Sequence, residues 1–264
     1  MSAASYTYAV AHPFDPIQVA GLVGVDGAAI HLVRHKDLVA VVSPLAPANA
    51  DEIALRARLE TLAELEAIAR AHHRVVAAVA ACTPTLPFRL ATVHRTDDRV
   101  AQLLRREYRR FRETLDRLAG RVEVGVKIYV QHAGASAPAA MSVDEKTSGS
   151  GSARAGRDYL RYRREERDRR QHAWQRATTV AEQVDAALAM LAVDRRQHRA
   201  QSAELSAAPG ENVFNAAYLV DAGLAEELAT RARRLCAENP HVTIEVTGPW
   251  PPYSFAGGEH RGHA

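Results

Sequence analysis

The chain has 264 residues, 47% hydrophobic and 25% charged, which excludes a wholly disordered polymer and leaves room for one large domain or two small ones. Its formal charge of +3 is the small remainder of 34 basic and 31 acidic residues, too slight an excess to point to nucleic acid. Cys82 and Cys236 lack C-x-x-C spacing, the N-terminus MSAASYTYAVAHPF lacks the basic start and apolar core of a signal peptide, and no window has the length of a membrane span. Reduced thiols in a cytoplasmic protein are the expectation.

Tyr6–Ala11 is β-branched and aromatic and stops at His12-Pro13, which predicts a first strand. Ile30–Arg34 and Leu38–Ser43, joined by His35-Lys36-Asp37, predict a hairpin ended by Pro44 and Pro47. From Asp51 the apolar residues recur at threes and fours through Val79, which predicts one long helix or two with a bend. The prolines of Cys82–Arg89 predict an extended connection. A second helix is expected from Asp97 or Asp98 to Leu118, with Gly120 as its stop and a strand over Val122–Val130. Strands and helices mix without βαβ alternation, so the fold class is α+β.

Residues 134–156 are rich in Ala, Ser, Gly, Thr and Pro and predict a mobile loop. A long helix is expected near 157–200, solvated over Arg157–Arg170 and seamed by Trp174, Ala177, Ala181, Val184, Leu188 and Leu191. Asn212–Val220 and Val242–Thr247 read as strands flanking a helix over Leu224–Ala237. With Val122–Val130 these give β-helix-β-helix-β, a pattern compatible with a modified ferredoxin-like sheet. The expected organisation is an N-terminal α+β domain over 1–119, a C-terminal domain over 120–247 and a tail over 248–264.

No constellation for catalysis emerges. Gly21–Gly27 lacks the Lys-Ser/Thr of a phosphate-binding loop, and His31, His35, His72 and His73 have no partners at ligand spacing. Nucleophile and zinc signatures are absent, so no catalytic, cofactor-binding or metal residue is assigned and no enzyme, cofactor or small-molecule substrate is expected. In the Arg-rich run, Arg161, Arg164 and Arg167 are candidate partner contacts. The interspersed Asp158, Glu165, Glu166 and Asp168 favour a solvated, salt-bridged face over a phosphate-binding one. A regulatory or nucleic-acid-binding module using this helix is the alternative function.

The tail carries a different signal. Pro249, Pro251 and Pro252 fix their own φ angles and bias the preceding residues away from helix, so little entropy is left to lose on docking. Trp250, Tyr253 and Phe255 each offer roughly 150–250 Å2 of surface to bury. A groove of this same protein is favoured over a foreign partner, because exposed Trp and Phe promote aggregation.

These residues resemble the gas vesicle protein F/L family (GvpF/GvpL). The resemblance rests on Asn215–Val220 followed by Thr247–Phe255 (TGPWPPYSF). Tyr6-Thr7-Tyr8, Leu38–Ser43, His72, Leu86-Pro87-Phe88-Arg89 and Gly156–Leu160 extend it over most of the chain. One departure is Leu90-Ala91-Thr92, where the family has a Phe-Gly-Thr-like turn. The resemblance implies two α+β domains, the second a modified ferredoxin-like fold with extra helices, and a C-terminal tail packed between them. It also implies a non-catalytic role in gas vesicle formation, with the small hydrophobic shell protein and other accessory proteins as partners and no membrane. Association with the vesicle, on its gas-facing surface, belongs to the same expectation.

Overall fold

The computed structural model describes residues 4–46, 57–131, 151–200 and 210–257, with backbone alone at 151–158. The predicted helix start at Asp51 and the predicted loop over 134–150 lie outside these residues. The structure is α+β, with two sheets and flanking helices. It divides into two compact units: Met1–Glu123 with Leu219–Ala222 and the segment from Pro249, and Val124–Tyr218 with Gly223–Gly248.

In the first unit, β1 (Ser5–Ala11), β2 (His31–His35), β3 (Leu38–Pro44) and β4 (Thr85–Pro87) form a sheet in the order β2-β3-β1-β4; β5 (Val93–His94) also pairs β1. The β1–β3 and β2–β3 pairs are antiparallel, with Val10 opposite Ala40 and Val33 opposite Ala40. Every residue of β1 is buried, polar Ser5 and Thr7 included, and these two hydroxyls are satisfied by Asp97 (2.6 Å) and His94 (3.0 Å). Helix α1 (Leu62–Ala80) buries Ile68, Ala71, His72, Val75, Val76 and Val79. That is one face at three-four spacing, and each fully buried valine is worth about 1.5–3 kcal/mol.

The helix expected over 97–118 is two: α2 (Asp97–Arg106), capped by Thr96, and α3 (Tyr108–Leu118). Glu107 between them leaves helical geometry at φ −98°, ψ 14° and pairs with Arg106 and Arg110. The apolar stripe keeps its phase across the break, with Val100 and Leu104 before it and Phe111, Leu115 and Leu118 after it all buried. A hydrophobic period therefore does not register the interruption.

The second unit contains most of β6 (Arg121–Val130), then α4 (Gly151–Ala189), β7 (Asp194–Gln197), β8 (Glu211–Asp221), α5 (Ala225–Ala237) and β9 (Val242–Trp250), with strand order β7-β8-β6-β9. Helix α4 starts inside the predicted loop and ends at Ala189, short of the expected 200, because Asp194–Gln197 forms an edge strand. Its sequence, Asp-Arg-Arg-Gln, has no apolar alternation to announce it. Ala177, Val180, Ala181, Val184 and Leu188 line the buried face of α4, which packs with α5. Buried Asn212 donates to the carbonyls of Ile128 (3.2 Å) and Phe214 (3.0 Å), and Tyr218 donates to Asp185 (2.8 Å), so these interior polar groups are satisfied. Cys82 and Cys236 are free thiols; burial pushes that of Cys236 up to about 11.

Candidate interaction site at the C-terminal segment

Strand β9 runs three residues beyond the predicted Thr247 and ends at Trp250. Gly248, at φ 106°, takes a backbone conformation that side chains disfavour. Pro251 and Pro252 then deny the strand further backbone donors, and Tyr253–Phe255 closes into a 3-10 turn. Pro252 and Phe255 are buried, while Pro249 and Trp250 are exposed and Pro251 and Tyr253 half-buried. Trp250, expected among the buried aromatics, keeps 41% of its surface in solvent. Its position at the end of the strand lays it edge-on to His73 at 5.2 Å.

Two residues of the first unit hold the turn. Glu123, at the start of β6, accepts from the Ser254 amide and from the Ser254 hydroxyl, both at 2.7 Å, one on each carboxylate oxygen. Arg117, in the last turn of α3, donates to the Phe255 carbonyl at 2.8 Å. Charge-assisted bonds of this kind are roughly twice as strong as neutral ones. Neither residue was predicted: Glu123 lies 131 positions from Ser254 and reads in sequence only as a polar residue in an alternating strand.

Beneath the turn lies a polar-aromatic cluster. Tyr253 stacks at a tilt on His72 and His73 (6.2 and 6.1 Å), and its hydroxyl meets His73 Nδ1 at 3.3 Å. His72 Nδ1 meets the Tyr6 hydroxyl at 3.1 Å, and that hydroxyl also accepts from the Ala91 amide at 3.0 Å. Tyr6 is thereby bonded to both the His72 ring and the Ala91 backbone. Nε2 is buried without a hydrogen-bond partner. Burial pulls His72 down to about 4; the Phe88 backbone opposes this without offsetting it, and His73 adds to it. Tyr8 completes the layer, 4.8 Å from Tyr6, sharing a hydrogen bond with Ser43 (2.8 Å) and accepting from the Val25 amide (2.7 Å). Burial raises the phenols of Tyr6, Tyr8 and Tyr253, so all three stay protonated.

The departure at Leu90-Ala91-Thr92 has a structural form. Ala91 sits at φ 62°, the left-handed region, and it is from there that its amide reaches Tyr6. The three arginines singled out in the sequence lie elsewhere: Arg161, Arg164 and Arg167 are exposed on α4 in the second unit. An open groove of about 340 Å3 beside β2 is lined by apolar residues including Val19, Leu22 and Ile30, with His31 and Arg34 as its charged or titratable members. Among the described residues no cluster of His, Cys, Asp or Glu has the makings of a metal site, and no helix is long and apolar enough to cross a membrane.

Glu123, Arg117 and His73 are thus turned toward the C-terminal segment. Residues 4–257 match the family described as gas vesicle synthesis protein GvpL/GvpF, and the chain belongs to this GvpL/GvpF family. It is 44% identical over 252 residues to gas vesicle protein L of Streptomyces sp. (strain CB03234), covering 96% of this chain and 92% of that one. Its fold is similar to the crystal structures of GvpF from Anabaena sp. PCC7120 (TM-score 0.68, 18% identity, all of both chains covered) and from Microcystis aeruginosa (TM-score 0.63, 18% identity, 97% of this chain and 100% of the other).

Proposed function

We propose that this protein is a non-catalytic assembly factor of the gas vesicle, acting in the cytoplasm and at the vesicle surface by binding the small hydrophobic shell protein and other accessory proteins. The observation that carries this reading is the family match, which spans the described chain from end to end. A shell subunit with a strongly apolar face needs a partner before it polymerises, and an accessory protein of the vesicle is suited to that role. The element order β6-α4-β7-β8-α5-β9 with strand order β7-β8-β6-β9 supports reading the second unit as a modified ferredoxin-like domain with extra helices. The segment from Pro249 is then a structural tail packed between two domains, and Arg161, Arg164 and Arg167 are contacts for a partner. The gas-facing surface is the proposed place of residence.

Co-purification of the chain with the shell protein at low and moderate salt tests this. Salt-resistant capture is expected, because apolar contacts persist where phosphate contacts weaken steeply. Capture of nucleic acid instead, lost as salt rises, would favour a nucleic-acid-binding module.

A further inference from the structure

Helix α4 spans 39 residues, but among its described side chains the buried ones lie in the last stretch, Ala177–Leu188. Traced toward the N-terminus at the same three-four spacing, that face continues through Ala173, Arg170, Glu166, Tyr162 and Tyr159. Ala173 and Glu166 are half-buried; the aromatic members are not, with Tyr159 61% and Tyr162 41% exposed, and Trp174 beside the stripe 43%. About five helical turns thus carry a seam in register with the buried face; among the described residues Arg170 in this seam pairs with Glu211 of β8 at 3.7 Å, while the aromatic members stay exposed.

The charge around this seam is one-sided. Between Tyr159 and Arg176 seven arginines stand against Glu165, Glu166 and Asp168, a net +4 along the helix; Glu211 of β8 meets Arg170 (3.7 Å) and Glu166 meets Arg163 (4.0 Å), which leaves the surface in excess of positive charge. Arg163 and Arg167 border the stripe on one side, while Arg161 and Arg164 fall toward the opposite side of the helix. A second copy of this chain would set +4 against +4. A nucleic-acid backbone would meet Glu166 in the middle of the stripe, where a carboxylate repels phosphate.

We infer that the Tyr159–Arg176 face of α4 is the docking site for an acidic amphipathic helix of a partner protein, whose apolar residues cover Tyr159, Tyr162 and Trp174 and whose carboxylates face the bordering arginines. The inference deepens the assembly reading by giving one partner contact a place and a chemistry, and it rests on that reading for its biological setting. The regular spacing favours a helix, since knobs at threes and fours pack against a surface of the same period.

The test is fluorescence anisotropy of a labelled four-heptad peptide with Leu at a and d and Glu at e and g, titrated with the full chain. A peptide with Lys in place of every Glu and a single-stranded oligothymidylate serve as comparisons. The Glu peptide is expected to bind saturably, and Tyr159→Ser with Tyr162→Ser to weaken it at least about tenfold, as is Arg163→Glu with Arg167→Glu. Unchanged thermal unfolding in both variants is the control, because all four substituted residues are exposed, Tyr162 at 41%. Equal binding of the Lys peptide, tight binding of the oligothymidylate, a tyrosine variant that binds as well as wild type, or no saturation at about 100 µM chain would each overturn the proposal. A homodimer broken by the tyrosine variant would overturn it in favour of self-association. Capture of the shell protein by a chain that ignores the Glu peptide would remove this site and leave the assembly reading in place.

Discussion

Glu123 binds Ser254 twice, through the backbone amide and the hydroxyl, each at 2.7 Å. One buried carboxylate thereby fixes both the path of the chain after Pro252 and the rotamer of the serine. Glu123→Ala is expected to cost about 2–3 kcal/mol, the range for hydrogen bonds to a charged group. Amide hydrogen exchange at Ser254 should accelerate at the same time. Exchange as slow as in wild type would mean that the turn is held without the carboxylate.

Phe255, fully buried, and Trp250, 41% exposed, separate anchor from bystander. Phe255→Ala is expected to destabilise by about 3–5 kcal/mol, whereas Trp250→Ala loses only part of a ring contact and costs about 1 kcal/mol. Urea unfolding of the two variants side by side checks the ranking, and equal midpoints would remove it.

His72 makes stability depend on pH. Its folded pKa of about 4 lies below the ordinary 6.5, so between those values the unfolded chain takes up a proton that the folded one excludes. Stability therefore rises with pH through this window. It is complete above about 6.5 and falls by at most about 3 kcal/mol on acidification toward 4. The urea midpoint measured at neutral and mildly acidic pH should shift more in wild type than in His72→Phe; parallel shifts would assign the pH dependence to other groups.

Ala91 holds a left-handed backbone at φ 62°. Glycine adopts that conformation without the Cβ clash, which costs about 1–2 kcal/mol, at the expense of roughly 0.5–1 kcal/mol of unfolded-state entropy. Ala91→Gly is accordingly expected to stabilise by about 0.5–1 kcal/mol. A lowered melting temperature would show that the turn relaxes around alanine by another route.

Strands whose apolar pattern is set by burial, such as β1, β3 and β8, were legible in the sequence because their side chains report the core directly. The same held for Ala177, Ala181, Val184 and Leu188 of α4, whereas Trp174, expected in that stripe, is 43% exposed and Leu191 lies past the end of the helix. Edge strand β7 was not, because its polar side chains face solvent and its pairing is made by backbone alone. The break at Glu107 escaped for the converse reason: the stripe keeps its phase on either side. In the C-terminal segment, proline and aromatic spacing gave the extended path and the presence of buried rings. Which ring takes the buried place depends on Arg117 and Glu123, contacts made across more than a hundred residues that no local pattern encodes.

The first unit is assembled from pieces synthesised at different times, since Leu219–Ala222 and the segment from Pro249 belong with Met1–Glu123. In the order of synthesis, Glu123 and the Tyr6–His72 layer are made more than a hundred residues before the turn that meets them. A chain interrupted between Glu123 and Phe255 carries that aromatic layer without Tyr253 over it, an exposed apolar surface that favours aggregation.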